Sequence, residues 1–188
     1  MSFTVVYDAD VLHRAPVRDL VVRLALQRRL NLRARWTEQI LDEMVESIAR
    51  RRPELRERLG RTRQLMCDAV PDCLVTGWEP LVAALQLPDP DDRHVLAAAI
   101  RSHAGVIVTY NTHDFPDVKL EPFGIVAQHP DTFLMDLLEL APAAVVQVLQ
   151  EQAAALIDPP QALPDLLERL RDTHHLVRFS TAVAAHLS

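Results

Sequence analysis

The spacing of apolar and polar positions changes several times along the chain, and each change marks an element. Phe3-Thr4-Val5-Val6-Tyr7 is a short β-branched and aromatic run, which predicts a strand ending at Asp8-Ala9-Asp10. Helical spacing follows over about 17–26. Thr37 then stands as the N-cap of a helix with an Ile40-Leu41-Met44-Val45-Ile48 stripe. Pro53 opens a strongly charged helix to about Met66. Residues 70–76 predict a short second strand, separated by Gly77 from a short helix over 79–85. Asp89-Pro90-Asp91-Asp92 opens an Ala-rich helix with its body over 94–100. Gly105 ends it, and Val106-Ile107-Val108-Thr109 is a buried-type strand. A turn leads to a last strand at Ile125-Val126-Ala127. This alternation predicts an α/β fold with a central parallel sheet. Past Pro130 the strand signals stop. Helical periodicity runs over 131–140, 143–157, 163–171 and 177–187, punctuated by prolines.

The chain has 188 residues, 49% of them hydrophobic and 24% charged, enough for a proper core and too apolar for disorder. No run approaches the ~18 consecutive apolar residues of a membrane span. The first residues carry no basic region followed by a long apolar stretch, so no signal peptide and no membrane contact are expected, and the location expected is cytoplasmic. Cys67 and Cys73 are too few for a disulfide framework or a zinc quartet, and read as one buried and one half-exposed thiol. The net charge of −6 argues at first against a polyanionic substrate. Its distribution changes that picture. Residues 1–63 hold 14 arginines against 9 acids, a net of +5, and the remainder carries −11. Arginines of the first third can meet phosphates while acids elsewhere hold cations.

The acids gather at element ends. Asp8 closes the first strand, Asp10 lies two residues on, and sites in open parallel sheets form at such carboxyl ends. Asp89-Pro90-Asp91-Asp92 has a structural explanation: Asp89 as N-cap, Pro90 at N1 and Asp92 at N3 as in a capping box. Three acids in four positions exceed what capping needs, and a bound cation relieves their repulsion. Thr109, Asn111 and Asp114 follow the Val106 strand, with His113 read as a solvent-facing loop residue. On the Thr37 helix, Asp42 and Glu43 flank the apolar stripe at similar angles, so periodicity does not choose between them. Mg²⁺ and Mn²⁺ are hard cations that take oxygen ligands, and three or four carboxylates can hold one or two of them for phosphate chemistry. A zinc hydrolase needs His or Cys at ligand spacing, which the eight histidines do not show.

These segments carry a family resemblance. Val5-Val6-Tyr7-Asp8-Ala9-Asp10-Val11-Leu12 resembles the opening strand motif of PIN domains. Asp89-Pro90-Asp91-Asp92-Arg93-His94-Val95-Leu96-Ala97-Ala98-Ala99-Ile100 is similar to their central helix. Val108-Thr109-Tyr110-Asn111-Thr112-His113-Asp114-Phe115-Pro116 is similar to the strand and loop that follow, and Gln39-Ile40-Leu41-Asp42-Glu43-Met44 to the helix that bears the family's glutamate. The resemblance spans about residues 3–128, and the helical tail looks like the extension of a toxin-like, VapC-like subgroup. It implies a Rossmann-like α/β/α sandwich over 1–128 with a helical extension over 129–188. It further implies an Mg²⁺- or Mn²⁺-dependent endoribonuclease, often the toxin of a toxin–antitoxin pair with a cognate antitoxin protein, and often a homodimer. Carried over, the metal-holding acids are Asp8, Glu43, Asp92 and Asp114, so the resemblance selects Glu43. Asp10, Thr109, Asn111 and Asp89 become polar neighbours. For such an enzyme Arg14, Arg18 and Arg93 are the expected RNA contacts, on their charge rather than on the resemblance. Asp10 stands where many members have Asn or Ser. Asn111 stands where many have Asp, which leaves Asn111 and Asp114 as alternatives nearest the metal. Two other readings use the same residues: a non-catalytic PIN-like module for RNA or a protein, and a metal-dependent phosphohydrolase of small phosphorylated molecules.

Overall fold

A computed structural model of the protein describes residues 3–156 and 160–187. Four short parallel strands form its sheet: β1 (Phe3–Tyr7), β2 (Leu32–Arg35), β3 (Val106–Val108) and β4 (Val126–Gln128), in the order β2-β1-β3-β4. The chain leaves β1 toward β2 on one side and returns to β3 on the other. Right-handed crossovers therefore place the two sets of connecting helices on opposite faces. The order reverses between β1 and β3, and the crevice beyond their carboxyl ends is the usual ligand position in such sheets.

The second strand is not where the sequence pattern put it. Residues 70–76 form no strand, and only an isolated bridge joins Trp36 to Leu74. Pro71 and the left-handed Asp72 (φ 54°) turn the chain there. The real β2 alternates buried Leu32 and Ala34 with exposed or half-exposed Arg33 and Arg35.

The helices follow the pattern more closely. They are α1 (Ala9–Leu12), α2 (Ala15–Ala25), α3 (Glu38–Ala49), α4 (Arg56–Ala69), α5 (Arg93–Arg101), α6 (Asp117–Leu120), α7 (Pro130–Leu140), α8 (Pro142–Ala155), α9 (Leu163–Asp172) and α10 (Val177–His186). Thr37 caps α3 as its sequence position predicts, its Oγ1 accepting from Ile40 N at 3.0 Å. Pro53–Leu55 and Glu79–Ala84 are 3₁₀ turns rather than α-helix. The α5 helix stops at Arg101, where His103 (φ 52°) makes the left-handed turn before Gly105 is reached. The pattern carried the second tail helix to Ile157, which lies outside the described residues. One thiol, Cys73, is buried and Cys67 is half-buried, both unpaired.

The four tail helices share a single apolar cluster with the sheet. Phe133 of α7 meets Tyr7 of β1 edge-on at 5.9 Å, and the cluster continues through Leu149, Leu166, Phe179 and Val183. On α8, the Gln152 amide donates to Pro16 O at 2.9 Å. Buried Asp131 accepts from the backbone N–H groups of Arg178 (3.1 Å) and Phe179 (2.9 Å), satisfying two otherwise orphaned donors at the start of α10. Asp131→Ala strands both donors and is expected to cost about 2 kcal/mol. A urea melt with a lower midpoint and an unchanged slope reads this out. Among the described residues no single helix is long and apolar enough to cross a membrane. The pair α7 and α8 qualifies only jointly, bent by 119°.

Candidate active site

The register of the sheet sets Tyr7 opposite Val108, so the next residues, Asp8 and Thr109, leave the central strands side by side. Asp8 N–H still donates to Val108 O at 3.0 Å, extending the ladder by one step. The Asp8 side chain then turns to cap α1, its Oδ1 accepting from Ala9 N at 2.6 Å. Its Oδ2 accepts from the Thr109 hydroxyl at 2.8 Å, and the same hydroxyl lies 3.1 Å from Asp10 Oδ2. Asp10 Oδ2 also accepts from Tyr110 N at 2.9 Å, while Thr109 Oγ1 accepts from Asn111 N at 3.0 Å. A fully buried threonine thus holds two aspartates and the following loop together.

Asp92 stands at the junction between the Pro90–Asp92 turn and α5, and its carboxylate caps nothing. Asp89 caps that turn, accepting from Asp91 N at 2.9 Å. The capping box read from the sequence does not form, so the structural role available to Asp92 goes unused. Burial, followed by the charges of Asp8, Asp89 and Asp114, pushes the Asp92 carboxyl up to about 7. Burial and the charge of Asp8 likewise push Asp10 up to about 7. Burial raises Asp8; the bonds from Thr109 and Ala9 oppose the rise, Glu43 adds to it and His94 offsets it. The acids therefore share one electrostatic neighbourhood at the β1/β3 crevice.

Glu43 enters that neighbourhood through a residue that spacing did not single out. His94, 4% exposed, sets its Nε2 2.9 Å from Glu43 Oε1, and Gln39 donates to the same oxygen at 3.1 Å. Asp42, its rival on α3, instead pairs with Arg63 of α4. The available signal for His94 was its polarity at the head of the buried run Val95–Ala99. Asp114 is mostly shielded and lies 3.2 Å from the Nε2 of exposed His113. The Asn111 side chain is exposed and makes no hydrogen bond among the described residues, so only its backbone joins the cluster.

Of the arginines read as phosphate contacts, Arg14 lies 4.0 Å over the Tyr110 ring and donates to Asp10 O at 3.3 Å. Arg18 donates to Leu12 O at 2.7 Å, and Arg93 is half-buried with Nε unpartnered. Tyr110, also unforeseen, ties the loop to the tail, its hydroxyl donating to His174 O at 2.9 Å.

Among the described residues, no three His, Cys, Asp or Glu side chains stand close enough together to hold a metal ion as they are. The donor set nevertheless fits a hard cation. It offers carboxylate oxygens almost exclusively, and buried Asp10 Oδ1 has no hydrogen-bond partner. The raised carboxyls mark negative charge that a cation would compensate.

A parallel sheet with this crevice of acids at its switch point defines the class. The chain belongs to the PIN-domain family: residues 4–113 match the family described as "PIN domain". Residues 130–185 match the family described as "VapC50 C-terminal domain". A protein of Mycobacterium tuberculosis (strain ATCC 25618 / H37Rv), named "Putative ribonuclease VapC50", is 43% identical over 117 residues, covering 60% of this chain and 69% of that protein. No solved structure matches the chain.

Proposed function

We propose that the protein is an Mg²⁺- or Mn²⁺-dependent endoribonuclease and the toxin of a toxin–antitoxin pair. The observation that carries the catalytic reading is the Thr109 hydroxyl gathering Asp8 and Asp10 where Asp92 and Asp114 converge electrostatically. The toxin assignment rests on the similarity to VapC50 and its C-terminal domain. It implies a cognate antitoxin protein, with action on RNA in the cytoplasm and a homodimer as the working assembly.

Asp8, Glu43, Asp92 and Asp114 would hold the cation, with Asp10 beside them. The bound ion supplies Lewis-acid stabilisation of charge developing on the phosphate and makes a water nucleophile available near neutral pH. Thr109 fixes the orientation of Asp8 and Asp10, and His94 orients Glu43. Arg14, Arg18 and Arg93 would meet RNA phosphates. Water adds to phosphorus as the P–O3′ bond breaks, leaving a 5′-phosphate and a 3′-hydroxyl.

Incubation with total RNA, and separately with nucleotides and small phosphate esters, under Mg²⁺, Mn²⁺ or EDTA tests this reading. RNA cleavage with either metal and none in EDTA is expected. Binding without turnover, or turnover of small esters alone, would replace it with one of the other two readings.

The raised carboxyls add a pH dependence. Asp10 and Asp92 bind protons more tightly folded, at about 7, than unfolded, at ~4. Their contribution is present below ~4 and is lost as pH rises through about 7. Without divalent metal, Tm is expected to fall across that window, and Mn²⁺ is expected to raise it more at pH 8 than at pH 5. Equal Mn²⁺ shifts at both pH values would speak against cation capture by these acids.

A further inference from the structure

The acids occupy one side of α1; the other side is basic. A cleft of about 360 Å³ opens where α2, the end of α3 and the start of α4 meet. His13, Arg18, Arg52 and Arg58 stand on its walls, and Ile48 and Leu59 are among its apolar lining. That volume lies in the range of small-ligand sites, roughly 300–1,000 Å³. Among the described residues no carboxylate lines it.

Burial, then the charges of Arg14, Arg51 and Arg18, press the His13 imidazole down to about 4. The other arginines of α4 are neutralised: Arg56 pairs with Glu46, Arg61 with Glu57, and Arg63 with Glu38 and Asp42. Among the described residues Arg52 pairs with the exposed Glu54 alone. Among the described residues Arg18, Arg51 and Arg58 have no carboxylate at salt-bridge distance. Like charges held together and unpaired cost free energy that an anion would recover.

The cleft adjoins the acids by construction. Asp8 caps the start of the one-turn α1 and His13 closes its end. Ser47, whose Oγ lies 3.3 Å from His13 Nδ1, is four residues, about one turn, beyond Glu43 on α3. We propose that this cleft binds the backbone phosphates of RNA nucleotides flanking the scissile bond, through Arg18, Arg52 and Arg58, with the apolar lining taking a base or ribose. The inference rests on the ribonuclease reading and gives the strand a path, from the acids along α1 into the α2–α4 groove. RNA is favoured over a protein segment because the charged side chains on the walls are all arginines and the acids lie one helical turn away.

Anisotropy of a labelled single-stranded RNA, measured in EDTA from 50 to 200 mM salt, tests it with Arg52→Ala/Arg58→Ala. Both side chains are exposed, and circular dichroism checks the fold. Arg28→Ala/Arg29→Ala, which removes the same charge near the amino end of β2 on the opposite rim, is the control. The cleft variant is expected to bind at least tenfold more weakly, with a log–log salt slope shallower by about 1.4, two phosphates at ~0.7 each. With Mg²⁺ its KM should rise while kcat stays within twofold, and the control should keep the wild-type slope. Wild-type affinity and slope in the cleft variant would overturn the inference, including the case in which a protein segment fills the cleft. If that result comes with normal cleavage by the wild type, the ribonuclease reading survives alone. If the wild type binds RNA through these arginines and cuts it under no metal, the cleft stands and the nuclease reading falls.

Discussion

Asp92→Asn is expected to lower kcat/KM for RNA cleavage by at least about 10³-fold without unfolding the protein. The substitution is nearly isosteric and exchanges an anionic oxygen for an amide, so it removes charge and ligand strength together. It should not harm the fold, because the Asp92 carboxylate caps no helix. Burial and three neighbouring aspartates already push that carboxyl up to about 7. Neutralising it therefore relieves repulsion near pH 7, and the metal-free variant should melt at the wild-type temperature or above it. Activity and Tm measured on one preparation separate the two effects. A variant that cuts RNA within a few-fold of wild type would remove Asp92 from the site; a lower Tm would show that it supports the fold.

Thr109→Val carries the second largest expectation. Valine keeps the volume and branching but removes a hydroxyl whose single proton is shared by Asp8 Oδ2 and Asp10 Oδ2 and whose oxygen accepts from Asn111 N. Two carboxylates and a backbone donor lose a partner in a fully buried spot. Stability should drop by about 2–3 kcal/mol. Cation affinity or kcat/KM should fall about 10–100-fold, as for other groups that orient metal ligands. Thr109→Ser restores the hydroxyl and should recover most of the loss. If the valine and serine variants behave alike, the hydroxyl is not what orders the acids.

Much of this arrangement is legible in the residues. The β-branched runs at 3–7 and 106–108 read as buried strands because both faces of a central parallel strand are covered. Their carboxyl ends then bring Asp8 and Thr109 to one rim of the sheet. The edge strand β2 is not legible, since two arginines in four residues look like loop, whereas the apolar 70–76 run looks like strand until Asp72 turns it. The choice of Glu43 over Asp42 was also out of reach of periodicity. It depends on which helix each side chain meets, His94 at the head of α5 or Arg63 on α4, and that is a tertiary fact. Asp131 does not stand out in the sequence because its partners, the first amides of α10, lie 47 and 48 positions away.

The central claim is that the acids at the β1/β3 crevice cut RNA only with a divalent cation. It is tested most directly by stripping the wild-type protein with EDTA, removing the chelator, and following cleavage of a labelled single-stranded RNA as Mn²⁺ is titrated back. The account predicts no cleavage at zero metal, a saturable return of activity, and products ending in 5′-phosphate and 3′-hydroxyl. Undiminished cleavage in the stripped protein, or none at any Mn²⁺ or Mg²⁺ concentration, would contradict it.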